Sequence, residues 1–212
     1  MKWTLALALF ATLSACGGGD DDDDGSTTAD AATGTAADAM SSGPDAMATG
    51  PDAMPQAAFS LTSTAFADGA VIPTVHTCRG VDTSPPFAWT NPPAGTQSLA
   101  IVFVDLSFNN FNHGVVWDIP TSVNALPANL SKVFEPSEVP GTKQSLSWRD
   151  QPGYAGPCPP ADHTYEFKLH ALDVATLPGV DATTTENQAK AAVEAASLGF
   201  TTLEGTFDPN NP

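Results

Sequence analysis

Gly153-Tyr154-Ala155-Gly156-Pro157-Cys158-Pro159-Pro160-Ala161-Asp162-His163-Thr164-Tyr165-Glu166-Phe167 is the stretch around which the chain is organised. Its first eight residues hold three prolines and two glycines, which remove backbone donors and require turn conformations. From Thr164 to Leu172 the pattern changes: Tyr165, Phe167 and Leu169 alternate with polar neighbours, the signature of a half-buried strand. A rigid loop therefore delivers Asp162 and His163 to the mouth of a strand. Loops carried by a sheet are favoured places for binding chemistry.

Short apolar runs cut by turn residues fill Phe59 to Pro209. Strands are predicted at Phe59–Phe66, Phe87–Thr90, Ser98–Asp105, Gly114–Ile119, His163–Val174 and Phe200–Phe207. Ser98–Asp105 is apolar without alternation, as in a central strand buried on both faces. One helix is expected late in the chain. Thr183-Thr184-Thr185-Glu186 reads as its capping box, Ala189, Ala192, Val193 and Ala196 recur at helical spacing, and Gly199 is the expected C-cap. Many short strands with a single helix predict a mainly β fold, a two-sheet antiparallel β-sandwich.

The N-terminal quarter reads differently. Met1-Lys2, an apolar run from Trp3 to Leu13, and Leu13-Ser14-Ala15-Cys16 make a secretory signal too short to span a bilayer. Ending on cysteine, residues 1–16 resemble the bacterial lipoprotein signal, in which Cys16 becomes the lipidated first residue; the alternative is an ordinary signal with an incidental cysteine. Residues 17–58 are expected to be a disordered acidic tether. They include Asp20–Asp24 and Asp-Ala-Met triplets beginning at Asp38, Asp45 and Asp52, with prolines and glycines that bar a coiled coil. A solvated spacer accounts for the Asp run better than a Ca²⁺ loop, since no Gly-turned carboxylate loop is present. The folded domain is placed at 59–209, with 210–212 as a tail, and the expected location is the bacterial cell envelope.

Of 24 acidic residues, nine precede Phe59; the other 15 face six Lys and Arg, a net charge of −9 for the domain. Such a surface offers no general attraction to phosphate backbones, which argues against a nucleic-acid partner. A single anionic group can still be held locally. If Cys16 is lipidated, only Cys78 and Cys158 remain of the three cysteines, and in an oxidising compartment they are expected to pair. A metal site is the competing reading, weak without a Cys-x-x-Cys spacing. No metal or cofactor is called for.

Several segments in order carry a family resemblance. They are Ile72-Pro73, Thr77-Cys78-Arg79-Gly80, Ser84-Pro85-Pro86-Phe87-Ala88-Trp89, Pro93-Ala94-Gly95-Thr96, Val102-Phe103-Val104-Asp105, His113 to Pro120, Gly153 to Pro160, His163 to Phe167, and Gly205-Thr206-Phe207. Together they resemble the phosphatidylethanolamine-binding protein family, in its bacterial Raf-kinase-inhibitor-like branch, over about Phe59 to Asp208. The resemblance implies an anion pocket formed by Asp105, His113, His163 and Tyr165, with His76, Pro159 and Pro160 at its rim. It also implies a phosphate or phosphorylated head group as ligand. The chain departs from the family at Leu106 to Asn112, where a Pro-Asp-x-Pro continuation is usual. It departs again at Gly114 in place of an aromatic, Thr164 in place of arginine, Arg79 in place of an acid, and Ala196 in place of a histidine.

The chemistry is coherent residue by residue. Histidine donates to an oxyanion, a carboxylate on its far nitrogen orients the ring, and a phenol adds a donor. Each histidine taken alone reads as structural, and His170, in mid-strand, is expected to be so. The sequence thus predicts a non-catalytic, membrane-tethered module that binds a small anionic ligand, with inhibition or regulation of a protein partner such as a protease as its expected output. The alternatives are a hydrolase with His113 or His163 as general base beside Asp105, for which no Gly-x-Ser-x-Gly nucleophile motif occurs, and a surface adhesin-like module with a vestigial pocket.

Overall fold

The computed structural model describes residues 57–211; the expectations for Cys16, the leader and nearly all of the tether lie outside them. The elements are β1 (Ser60–Thr62), β2 (Ala70–Val71), a 3-10 turn (Thr74–His76), β3 (Phe87–Thr90), β4 (Ser98–Asp105), β5 (Phe111–Pro120), β6 (Ala125–Leu126), β7 (Lys143–Gln144), β8 (His163–Leu172), α1 (Glu186–Ala195) and β9 (Ser197–Phe207). They form a six-stranded sheet, ordered β2-β9-β8-β4-β5-β7, and a three-stranded sheet, ordered β1-β3-β6. The fold is the mainly β two-sheet arrangement with one helix that the sequence predicts. Its pairing is antiparallel except at one place, where β2 runs parallel to β9 through Ala70 opposite Gly205 and Val71 opposite Thr206.

Alternation along β4 builds two cores from one strand. Leu99, Ile101 and Phe103 join Leu61, Phe87, Trp89 and Leu126 of the small sheet, with Phe167, Leu169 and Leu203 beside them. Ala100, Val102 and Val104 face the other way, against Val115, Trp117 and the Ala189 and Val193 face of α1. Every residue of β4 is buried. Each large apolar side chain so placed contributes roughly 1.5–3 kcal/mol, so β4 carries a disproportionate share of the stability.

Several boundaries differ from the sequence expectation, each for a local reason. β1 stops at Thr62 because Ser63 Oγ donates to the Pro86 carbonyl and accepts from the Ala65 amide, which turns the chain. Phe66 still enters the core and packs on Phe167 at 6.0 Å. α1 is capped by Thr185, not Thr183: the capping box joins Thr185 and Gln188. Thr183 instead closes a turn, its amide donating to Asp181 Oδ1. Ala196, not Gly199, is the C-cap, and Gly199 lies inside β9. β5 begins at Phe111, three residues before the expected Gly114.

The proline-rich loop is held from behind. Cys78 and Cys158 form a disulfide with Cα atoms 5.3 Å apart, as cysteine counting predicts. The Cys78 amide donates to the Pro157 carbonyl (3.0 Å) and Tyr154 Oη to the His76 carbonyl (2.8 Å). Gly156 donates to Asp82 Oδ1 (2.8 Å), and a Cβ on it would lie 2.3 Å from the His76 carbonyl oxygen, so only glycine fits this crossing. Closing 80 residues of chain with one bridge is worth on the order of 4 kcal/mol. A Cys78→Ser/Cys158→Ser variant should lose about that much, read as a lower urea midpoint matched by wild type in reductant; an unchanged midpoint contradicts this.

Candidate functional site

The site sits where β4, β5 and β8 end together, on the face turned toward the small sheet. β4 terminates in Asp105, opposite Tyr165 on β8 and Phe111 on β5. His163 and Tyr165 share a face of β8 because side chains alternate. His113 arrives by a different device. Phe103 pairs with Gly114 and Val104 with Asn112, so His113 is the extra residue of a β-bulge. The bulge turns His113 toward the same face as Asp105 and Tyr165, and bulges are a common way to re-aim a side chain at a site. The β4–β5 connection is tight because Asn109 and Asn110 accept positive φ (51° and 53°), which asparagine tolerates better than most residues.

Asp105 is buried and fully engaged. Its Oδ1 accepts from the amides of Ser107 (2.9 Å) and Phe108 (3.1 Å), and its Oδ2 takes His163 Nδ1 at 2.6 Å. This commits His163 Nδ1 and leaves Nε2 free. His113 makes the matching choice: its Nδ1 donates to the Ala155 carbonyl at 2.9 Å. A carbonyl accepts only, so the proton must be on Nδ1, and Nε2 is the nitrogen left for the cavity. Burial pushes the His113 pKa down to about 4, against smaller opposing effects of the Ala155 carbonyl and the Asp105 charge; Arg149 acts in the same sense as burial. His113 is therefore neutral at pH 7.

Tyr165 is completely buried, and its hydroxyl lies near the Asp105 carboxylate without reaching hydrogen-bond geometry to it or to any other group. Burial, then the neighbouring Asp105 charge, pushes its pKa far above the ordinary phenol value, so it remains a proton donor. An orphaned buried hydroxyl costs about 1–3 kcal/mol, and a ligand oxygen would satisfy it. Beneath these groups Phe103 stacks on Phe167 at 4.2 Å and lies 4.6 Å from the His113 ring.

These side chains line one cavity of about 360 Å³, with Phe108, Trp148, Cys158, Pro159 and Pro160 as its walls. Six of the seven pocket and rim residues predicted from sequence thus come together: Asp105, His113, His163, Tyr165, Pro159 and Pro160. His76 does not line the cavity. It is buried in the 3-10 turn, its Nδ1 on the Thr83 carbonyl (2.8 Å), and supports the loop from behind. His170 lies on the other face of β8, with Nδ1 on Ser197 Oγ. Phe108 and Trp148 escape the sequence reading. Their signal was present: large aromatics inside Leu106-Ser107-Phe108-Asn109-Asn110 and Ser147-Trp148-Arg149-Asp150, where turn residues leave no strand core for them to join.

The Phosphatidylethanolamine-binding protein family model matches residues 62–208, which contain the whole site. The chain belongs to this family. Relatives at similar distance include bacterial proteins, as the resemblance to the bacterial branch implies, and one from the archaeon Methanothermobacter thermautotrophicus. A Chlamydia pneumoniae UPF0098 protein is 35% identical over 156 residues, covering 70% of this chain and 97% of its own. A Mycobacterium tuberculosis protein called "Putative lipoprotein LppC" is also 35% identical, covering 70% of this chain and 72% of its own. The crystal structure of E. coli YBCL, described as a new member of the mammalian PEBP family, superposes with a TM-score of 0.66 at 27% identity. It covers 72% of this chain and 99% of that one.

The buried histidines of this family member tie its stability to pH. His170, like His113, has its pKa lowered to about 4, chiefly by burial. The unfolded chain binds these protons near pH 6.5, so stability is undiminished above 6.5 and falls as pH drops from 6.5 toward 4. The loss should be on the order of 3 kcal/mol per ring. Urea unfolding across this window should show it, and His113→Gln should remove its share; a pH profile equal to wild type contradicts the assignment.

Proposed function

We propose that this protein is a membrane-tethered, non-catalytic binding module that holds a small anion, phosphate or a phosphorylated head group, in the cavity between His113, His163 and Tyr165. The observation that carries the reading is the Tyr165 hydroxyl, buried without a partner between two imidazole rings whose Nε2 atoms are uncommitted. Such a cluster of unspent polar groups in an otherwise apolar cavity fits a ligand with several oxygens. Family membership supports the ligand class. The lipoprotein name carried by the mycobacterial relative supports Cys16 as a lipidation site and an envelope location. Phe108 and Trp148, 58% and 37% exposed at the cavity wall, form the surface through which a protein partner would sense occupancy.

A hydrolase is the second reading, favoured by the 2.6 Å contact of Asp105 with His163, which orients a general base. Among the described residues no serine or threonine lines the cavity, Cys158 is held in the disulfide, and the Tyr165 phenol resists ionisation. Water, or a histidine Nε2 in a phosphoryl transfer, is left as the nucleophile. Turnover of phosphomonoesters or carboxylic esters, abolished in His163→Ala, would establish catalysis in place of simple binding.

Titrating the protein with phosphate and O-phosphorylethanolamine, while following the histidine ring signals by NMR, should give saturable shifts at His113 and His163. Tyr165→Phe keeps the packing and removes one donor to a charged group, and should weaken binding roughly 10-fold or more. An absence of saturable shifts at millimolar ligand contradicts the reading.

A further inference from the structure

Among the described residues, no lysine or arginine lines the cavity. Its nearest guanidinium, Arg149, is turned away: it pairs with Asp82 Oδ2 at 3.0 Å and lies over the Trp148 ring. Thr164 occupies the position where the resemblance leads one to expect an arginine, and its amide is spent on Ser107 Oγ. The one formal charge in the wall is the Asp105 carboxylate. An anion entering this space therefore contacts no permanent cation and feels Arg149 only at a distance, while the domain around it is net negative.

Two donors are in reach, the Tyr165 hydroxyl and a histidine Nε2. The neutral His113 ring, with its proton on Nδ1 and held by Ala155, presents a lone pair at Nε2 and would repel an oxyanion. The same atom becomes a donor and a positive charge if it gains a proton. We propose that the pocket binds its anion together with a proton, which comes to rest on His113 Nε2 and bridges to a ligand oxygen. This inference rests on the anion-binding reading above.

The balance is simple. A phosphomonoester dianion and one solvent proton combine with neutral His113 to give imidazolium and bound dianion. A phosphomonoester monoanion brings the proton itself. The N–H bond forms as one O–H bond breaks, in hydronium for the dianion and in the ligand's own P–OH for the monoanion; no other covalent bond changes.

The surroundings of His113 agree with this assignment. Asp105 on β4 and Asp82 behind the proline loop favour the charged ring, and Arg149 in the loop after β7 opposes it. From β8, Tyr165 packs edge-on at 5.5 Å and stays a neutral donor, while His163 faces Asp105. Ala155 of the proline loop supplies a carbonyl only. Burial dominates when the pocket holds no anion, and its penalty is offset when an anion contacts the ring.

Calorimetric titration in buffers of different ionisation enthalpy counts the protons directly. Sulfate, which carries no proton at the pH values used, should bind with uptake approaching one proton from pH 5 up to the pKa of His113 in the complex, its affinity falling about tenfold per pH unit over that range. Phosphate should show that slope only above its own second pKa, near 6–7, and a flatter dependence below it, where the ligand brings the proton. His113→Gln offers an amide donor that does not titrate, and should bind sulfate without proton uptake. Sulfate binding to wild type with no uptake overturns the proposal and leaves the anion-binding reading intact. Uptake that persists in His113→Gln overturns the assignment to His113. Absence of sulfate and phosphate binding even at pH 5 overturns the anion-binding reading and this inference with it.

Discussion

The carboxylate of Asp105 is the point on which the site depends, and burial of β4 on both faces is what puts it there. A strand packed between a second sheet and a helix cannot slip by one residue without turning Leu99, Ile101 and Phe103 into the helix layer. The register that satisfies both cores leaves Asp105 at the end of the strand, beside β5 and β8. A buried charge in that place needs partners, and it takes three: the Ser107 and Phe108 amides and the His163 ring. The first two set the turn into β5; the third fixes which nitrogen of His163 faces the cavity. Packing, loop geometry and chemistry are thus joined through one side chain.

The cavity wall is built with similar economy. The proline loop has few backbone donors to make a sheet, so it is pinned by a disulfide, a tyrosine hydroxyl, one glycine amide and the Cys78 amide. Asp82 gathers the Gly156 amide together with Lys132 and Arg149. Two of the domain's six permanent cations are consequently spent on architecture next to the cavity and kept out of it. An acidic protein can hold an anion in such a cavity only through neutral donors and titratable rings, which favours weak, pH-sensitive binding over the tight capture that arginine pairs give.

Much of this was legible in the sequence. β3 and β4 have the bounds their apolar runs predict, because buried strands announce themselves by composition. The Cys78–Cys158 bridge follows from counting, and the chemistry of Asp105, His113, His163 and Tyr165 from the family resemblance. Other features depend on information that periodicity does not carry. A bulge at His113 looks like an ordinary strand residue until its partner strand is known. Thr183 and Thr185 both stand three residues before a Glu or Gln that can close a capping box, and the choice between them is made by Asp181, which engages Thr183 and Thr184. His76 adjoins Thr77-Cys78 in sequence, yet the 3-10 turn that brings the disulfide to the cavity wall points its ring at Thr83. Gly199 reads as a helix stop, but Ala196 already ends α1 and the chain pairs at once with β8.

The central claim is that both site histidines are fixed through Nδ1 and offer Nε2 to the cavity. Long-range ¹⁵N–¹H correlation spectra of the imidazole rings at pH 7 test it most directly. The account predicts a neutral His113 protonated at Nδ1, and a His163 Nδ1 proton in a strong hydrogen bond that moves when Asp105 is changed to Asn. A His113 protonated at Nε2, or a His163 signal indifferent to Asp105→Asn, would contradict it.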